Sequence, residues 1–418
     1  SIDLSPYGAG IQSVATSHDK IAVAVASADK VATKGKVVIF DTDGTFDKEV
    51  TVGYLPDMVG FSEDGLKVIV ANEGEPDASD GNYNDVAGTV GIITVASGVY
   101  NEVGFVDGDL NAAADGTVVR KGGTPSDSTA LDMEPEFVAV AGNKAYVTLQ
   151  ENNALAIIDI ATDTPIVDSV KSLGSKDYSS QNKIDIQEEG KILLKNYPGL
   201  KGLYQPDTIV AHNINSTDYL FTANEGDGRE YEDSNGDVIF EDEIKIKKHT
   251  LDDSIADAYI DENDLKIMTD ISTSTELYTF GGRSFSIWDT NGDLVWDSGD
   301  SISKLVAKYE PKLFNQDDAE MDGRSGNKGA EPEAIAVGTL SNGKVYAFVG
   351  LERQSSIVIY DVSNPQAPEF VDYVVTHTDN DISPEGMKFI PASEAPNAKD
   401  LLLVSYEVSG STVIYEVK

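Results

Sequence analysis

Apolar positions along the chain come in short strand-like runs, and long helical periodicity is scarce. Lys67-Val68-Ile69-Val70-Ala71, Lys144-Ala145-Tyr146-Val147-Thr148-Leu149, Ala154-Leu155-Ala156-Ile157-Ile158-Asp159-Ile160 and Ser356-Ile357-Val358-Ile359-Tyr360 are typical. They are rich in Val, Ile, Tyr and Thr and are bounded by Gly, Asn, Asp and Pro, which predicts strands ended by turns. The chain therefore reads as all-β.

The strands repeat as a unit. Pro is followed by an acid, a short apolar strand, a turn, a second apolar strand ending in Glu, and a third strand. The unit runs from Pro56-Asp57 to Glu73, Pro135-Glu136 to Glu151, Pro206-Asp207 to Glu225, Pro332-Glu333 to Glu352 and Pro384-Glu385 to Glu407. The acid-to-Glu spacings are 16, 15, 18, 19 and 22 residues, lengths that suit hairpins with variable turns. A fourth strand follows in places, as at Pro165–Val170 and Glu369–Val374. Four antiparallel strands per repeat is the blade of a propeller. Residues 9–54 and 276–297 add two weaker units, which predicts one domain over residues 1–418, a seven-bladed β-propeller with four-stranded antiparallel blades. The last unit ends at Lys418 after its third strand, so Ser1-Ile2-Asp3-Leu4 is expected to complete that blade and close the ring, removing an open edge. Insertions near 75–90, 107–130, 172–204, 227–262 and 300–330 are the long loops where binding is expected.

In such a blade the start of the innermost strand and the end of the second strand lie side by side at one end. Asp57, Glu136, Asp207, Glu333 and Glu385 are then expected to converge on a central funnel, with Glu73, Glu151, Glu225, Glu352 and Glu407 as a second tier. Carboxylates this close need compensating cations. All-oxygen donors point to Ca²⁺, and less to Mg²⁺. The other reading of each Pro-acid pair is a turn device, with the acid capping backbone N–H groups. Arg229, Arg283, Arg353 and Arg324 stand near the motif and are the candidate substrate-binding groups. Arginine beside a metal holds phosphate or sulfate, and the alternative is salt bridging within the acidic ring. A second metal candidate is Asp289-x-Asn291-x-Asp293-x3-Asp297-x2-Asp300, whose spacing follows an EF-hand loop except that Leu294 stands where Gly is expected; the segment also reads as a turn between two strands of a blade. Asp233-x-Asn235-x-Asp237-x3-Glu241 is similar, and Asp317, Asp318, Glu320 and Asp322 form another acidic loop.

Charge narrows the partners. The 418 residues hold 72 Asp and Glu against 31 Lys and Arg, a formal net charge of -41. That field repels nucleic acid and anionic lipid, and suits cation binding or solubility in salty surroundings. With 40% hydrophobic residues the chain has material for a core. There is no Cys, which excludes disulfides, thiolate metal sites and cysteine nucleophiles. No apolar run reaches membrane-spanning length, so no insertion is expected. The first residues carry no signal-peptide pattern, and if the protein is exported that peptide is already removed. His18, His212, His249 and His377 form no metal-spaced pair, and neither a nucleophile elbow nor a phosphate-cradling Gly loop occurs. Hydrolysis would need metal-activated water, with Glu333 or Glu385 as candidate base.

Several segments together resemble the choice-of-anchor I family of secreted and surface propellers. These are Glu134-Pro135-Glu136-Phe137-Val138, Tyr204-Gln205-Pro206-Asp207, Ala223-Asn224-Glu225-Gly226-Asp227, Phe280–Asp289, Lys328-Gly329-Ala330-Glu331-Pro332-Glu333 and Ser383-Pro384-Glu385-Gly386. The family is also met as the mesenchyme-specific cell-surface glycoprotein group, and some bacterial members are labelled atypical alkaline phosphatases. The resemblance implies an exported domain, secreted or at the cell surface, sometimes linked to phosphoester hydrolysis or mineral handling. The sequence departs from the family pattern at Thr269–Thr275, where an acidic, glycine-rich stretch is expected. Two functions follow as expectations. One is a Ca²⁺-dependent phosphoester hydrolase acting on phosphorylated small molecules. The other is a non-catalytic surface or adhesion module that binds glycans, proteins or mineral.

Overall fold

The structure is a computed structural model that describes residues 2–125, 128–260 and 264–418. Ser1 of the proposed closing strand, and residues 126–127 and 261–263 of the predicted insertions, lie outside the described residues. The chain forms two compact units, one of residues 1–174 with 228–242 and the other of residues 175–227 with 243–418.

The first unit carries three sheets whose four main strands run antiparallel in up-and-down order, and Leu110–Asn111 adds to the third in parallel beside its last strand. Their strands are Gly10–Ser17, Lys20–Ala26, Lys36–Asp41 and Phe46–Thr51; Pro56–Phe61, Lys67–Asn72, Thr89–Thr94 and Tyr100–Val103; and Val138–Ala141, Lys144–Leu149, Ala154–Asp159 and Ile166–Ser172. The middle strands are buried on both faces, as Val37 to Phe40 and Val68 to Ala71 show, and so they read as continuous apolar runs. Val59, Val68 and Val70 pack with Ala22, Ala24, Val37 and Ile39, joining the first sheet to the second. Ile69, Ala71 and Ile92 pack with Val138, Ala145 and Val147, joining the second to the third.

The second unit carries three more sheets of this kind. The first of them is Ile209–Ile214, Thr217–Asn224, Ser284–Asp289 and Leu294–Asp297. The next is Pro332–Thr339, Val345–Leu351, Ser356–Asp361 and Glu369–Val375. The last is Pro384–Ile390, Leu401–Tyr406 and Ser411–Glu416, with three strands. Phe285 of one sheet lies 4.9 Å from Tyr360 of the next, ring centre to ring centre, and 5.1 Å from Trp296. The amphipathic helix Ser301–Tyr309 buries Ile302 and Val306 in the same core. No helix of the described residues is long and apolar enough to cross a membrane.

Two expectations are corrected. Residues 276–297 are not an independent blade. Ser284–Asp289 pairs with Thr217–Asn224, from Tyr219↔Asp289 to Asn224↔Ser284, and so supplies the third strand of the unit begun at Pro206. Asn224 and Ser284 are 60 positions apart, so the insertion hid the pairing from a reading that expects neighbours in sequence to pair. Leu277–Thr279 joins a separate small sheet with Ser175–Asp177 and Leu200–Leu203. The described residues therefore hold six sheets of blade pattern, not seven. Nor do residues 2–4 form a strand. Leu4 packs against Val23, Val25, Val38 and Phe40 of the first unit, and the last sheet keeps three strands.

Phe285 is fully buried. Phe285→Ala should cost about 3–5 kcal/mol through the cavity it leaves, read as a lowered urea midpoint at unchanged slope. A loss below about 1 kcal/mol would contradict the close packing described here.

Candidate functional site

The sheet register explains why the Pro-acid motif gathers charge. Pro56 pairs with Asn72, Pro332 with Leu351 and Pro384 with Tyr406, each partner being the residue before the motif's Glu. Immediately after each Pro the register slips, leaving Asp57, Glu333 and Glu385 in a bulge. A bulge re-aims its side chain. Of the residues before the motif's five prolines, Leu55, Gln205, Glu331 and Ser383 hold positive φ of 43, 43, 52 and 61°. That conformation is costly for a non-glycine residue and doubly so before Pro, and such strain clusters where function needs a fixed geometry.

The predicted carboxylates form two groups, one in each unit. In the first unit, burial followed by the charges of Asp57, Glu75, Glu134 and Glu151 raises the Glu73 carboxyl well above its ordinary range. Burial lifts Asp57 to about 6, against a Gln12 hydrogen bond and with Glu75 adding. Glu134 faces a buried guanidinium. Arg229 reaches its Oε1 through Nε at 2.9 Å and Nη2 at 2.8 Å, and Nη2 also lies 3.3 Å from Asp132. Arg120 beside it pairs with Asp242 at 2.9 Å. Glu136 is buried at the entry to the third sheet.

In the second unit Glu225, Glu333 and Glu352 offer oxygens that all lie within 4.8 Å of one another. Burial, then the charges of Glu225, Asp207, Glu352 and Glu385, pushes Glu333 well above the usual carboxylate range. Its buried Oε2 has no hydrogen-bond partner among the described residues. Burial and then Glu331 push Glu352 up to about 8, with Arg353 opposing. Burial also raises Glu225, opposed by Lys328, whose Nζ sits 2.5 Å from Glu225 and 3.2 Å from Asp227. Gly226 and Gly281 let two backbone segments meet at this group. A Cβ on Gly281, whose φ is +73°, would lie 2.0 Å from the Glu225 carbonyl oxygen. Glu407 is exposed, as is Glu385.

The four arginines fall into two classes. Arg229 and Arg283 are buried. Arg283 donates to the carbonyls of Asp185 at 2.9 Å, Ser325 at 2.8 Å and Asn327 at 2.5 Å, pinning the loop that leads to Lys328 and Glu331. Arg324 and Arg353 stay partly exposed, and both meet Glu331. Glu331, Glu134 and Glu75 were missed by the sequence reading. The signal was present, because Glu331 and Glu134 are the first acids of Glu-Pro-Glu and only the second was assigned.

The EF-hand-like loop does not gather. Asp289 accepts from the backbone N–H of Asn291 at 2.8 Å and of Asp293 at 2.9 Å, forming a hairpin turn. Asp297 pairs opposite Ser286, three positions back along that strand and thus about 10 Å from Asp289. It accepts from Ser284 and Ser286 at 2.7 and 2.8 Å and lies 3.1 Å from Lys176. Asp300 sits at the start of the helix and binds Lys304 at 2.6 Å. Asp233 makes the same kind of turn, to the N–H of Asn235 and Asp237. In the third acidic loop Asp322 is buried against the Ser325 hydroxyl, and Asp317 pairs with Glu320 through the backbone.

The choice-of-anchor I domain profile matches residues 1–365. The chain belongs to the choice-of-anchor I family. It is 27% identical over 170 residues to Gigasin-3a of Magallana gigas, covering 35% of this chain and 59% of that protein. It is 28% identical over 225 residues to the mesenchyme-specific cell surface glycoprotein of Strongylocentrotus purpuratus, covering 43% of this chain and 29% of that protein. The chain thus spans less than two thirds of either relative. Among solved structures it is similar to the WD40 domain of Toxoplasma gondii coronin, at 10% identity and TM-score 0.47, covering 97% of this chain and 68% of that one. The periplasmic gluconolactonase of Pseudomonas aeruginosa matches at 11% identity and TM-score 0.39, covering 96% and 92%. At these scores the sheet pairings above remain the basis for the fold.

The raised carboxyls give a pH dependence of definite sign. Asp57 binds its proton more tightly folded than unfolded, so its contribution is fully present below about pH 4 and is lost as pH rises through 6. The loss reaches up to about 3 kcal/mol. In chelator, the melting temperature should fall between pH 5 and 8. Asp57→Asn should melt higher than wild type at pH 8, with the gap narrowing at pH 5. Equal melting of the two proteins at both pH values would contradict the assignment.

Proposed function

We propose that this chain is a Ca²⁺-binding module for use at the cell surface or in secretion, with Glu225, Glu333 and Glu352 as the ion's ligands. The observation that carries the reading is the convergence of these three carboxylates within 4.8 Å while the buried Oε2 of Glu333 has no partner among the described residues. Lys328 compensates Glu225, Arg324 is engaged with Glu331, and Arg353 is shared between Glu331 and Glu352, so Glu333 and Glu352 lack a full counter-charge. A divalent ion supplies it. Oxygens on one Ca²⁺ ion can stand up to about 5 Å apart, whereas Mg²⁺ needs them within about 4.2 Å and dehydrates reluctantly. The surface setting is supported by family membership and by the name of the sea urchin relative. The group in the first unit has the same Pro-acid origin, but there Arg229 already neutralises Glu134.

The second reading is a metal-dependent phosphoester hydrolase, favoured by two partly exposed arginines beside the same carboxylates. The non-catalytic reading is preferred because Arg229 and Arg283 spend their donors on buried acids and carbonyls. Turnover of generic phosphomonoesters or diesters by the calcium-loaded protein, lost in the Glu333→Gln, Glu385→Gln double variant, would reverse that preference.

Calorimetric titration tests the ion itself. Ca²⁺ should bind more tightly than Mg²⁺, and Glu333→Gln should weaken Ca²⁺ by about tenfold or more. Absence of Ca²⁺ binding at millimolar concentration, or equal affinity in Glu333→Gln and wild type, would overturn the reading.

A further inference from the structure

Glu331 is an unusual anchor. Its side chain has no solvent exposure, yet it meets two guanidinium groups, one on each oxygen. Arg324 Nε lies 2.7 Å from Oε1 and Arg353 Nε lies 3.0 Å from Oε2. Lys328 Nζ stands 3.8 Å from Oε2. One carboxylate thus keeps two arginines and a lysine in place, in a chain where acids outnumber bases 72 to 31. The anchoring uses Nε only. Among the described residues none accepts a hydrogen bond from the terminal nitrogens of either guanidinium. Those side chains are 17% and 32% exposed. Because both Nε atoms sit on one carboxylate, they lie within about 8 Å of each other, so their free forks are neighbours. The loop carrying Arg324 and Glu331 is fixed from below by Arg283, through the carbonyls of Ser325 and Asn327. A salt bridge that served only to satisfy Glu331 would need one guanidinium and would present its fork to the acid.

We propose that Arg324 and Arg353, splinted side by side on Glu331, bind a tetrahedral oxyanion, a sulfate or phosphate group, whose occupancy is coupled to the cation held by Glu225, Glu333 and Glu352. Guanidinium forks match such oxygens in geometry and charge. The coupling follows from neighbours: Arg353 Nε is also 3.4 Å from Glu352 Oε2, and Asp317 adds negative charge facing Arg353. A divalent ion held on Glu352 therefore adds positive charge directly beside the clamp. By linkage the oxyanion tightens the cation by the same factor. The proposal rests on the cation reading above and adds the class of ligand.

The test is titration of inorganic sulfate and inorganic phosphate into the full chain at constant ionic strength, with Ca²⁺ and with chelator. One anion per chain should bind, about tenfold more tightly with Ca²⁺. Arg324→Gln and Arg353→Gln should each weaken it by about tenfold, and Arg353→Lys should fail to restore it because the fork is lost. Phenyl phosphate against phenyl sulfate then identifies which group the site prefers, and a preference for either supports the clamp. Anion heats equal to those of chloride, or unchanged in the Arg324→Gln, Arg353→Gln double variant, would overturn it. Ca²⁺ titration of the same samples separates the two failures. If Ca²⁺ binds and the anion does not, the clamp alone is wrong; if Ca²⁺ does not bind, the cation reading falls first.

Discussion

Repulsion between carboxylates held away from water is the interaction on which the rest of this molecule turns. A strand pairing that sets Pro opposite the residue before Glu brings two acids to one sheet end, and the bulge after Pro turns the first of them inward. Repeated along the chain, the device concentrates charge that the fold by itself would not tolerate. Each unit answers with a different mixture of cations. The first uses Arg229 against Glu134 and Asp132. The second uses Lys328, Arg324 and Arg353, and still leaves Glu333 with a buried, unpartnered oxygen. That remainder is what separates a site from a structural ion-pair network.

Much of this was legible in the residues. Short apolar runs bounded by turn residues gave the strands because the middle strands are buried on both faces. The recurring Pro-acid and Glu gave the pairing of strand ends, since hairpin length fixes which residues face each other. Sheet count was not legible, because the strand Ser284–Asp289 returns to Thr217–Asn224 across a long insertion, and only tertiary pairing reveals it. The closing strand failed for a related reason: Leu4 finds apolar neighbours beside Val23 and Phe40, so hydrophobic packing outcompetes an exposed sheet edge. Of the two readings open for the aspartates at EF-hand spacing, the structure forms the hairpin turn capped by Asp289.

The arginines show why residue type and proximity in sequence are weak guides to role. All four stand near the motif. Two are buried on acids and carbonyls and act as struts, while two share one acid through Nε and stay partly exposed. The difference is set by Glu331, a residue whose left-handed backbone and full burial have no signature beyond its place before Pro332.

Anomalous diffraction from a crystal grown with Ca²⁺ tests the central claim most directly. The account predicts a single strong peak touching carboxylate oxygens of Glu225, Glu333 and Glu352, at about 2.3–2.6 Å. A map with no peak there, or with the Lys328 ammonium still paired to Glu225 and no ion beside Glu333 in calcium-saturated crystals, would contradict it.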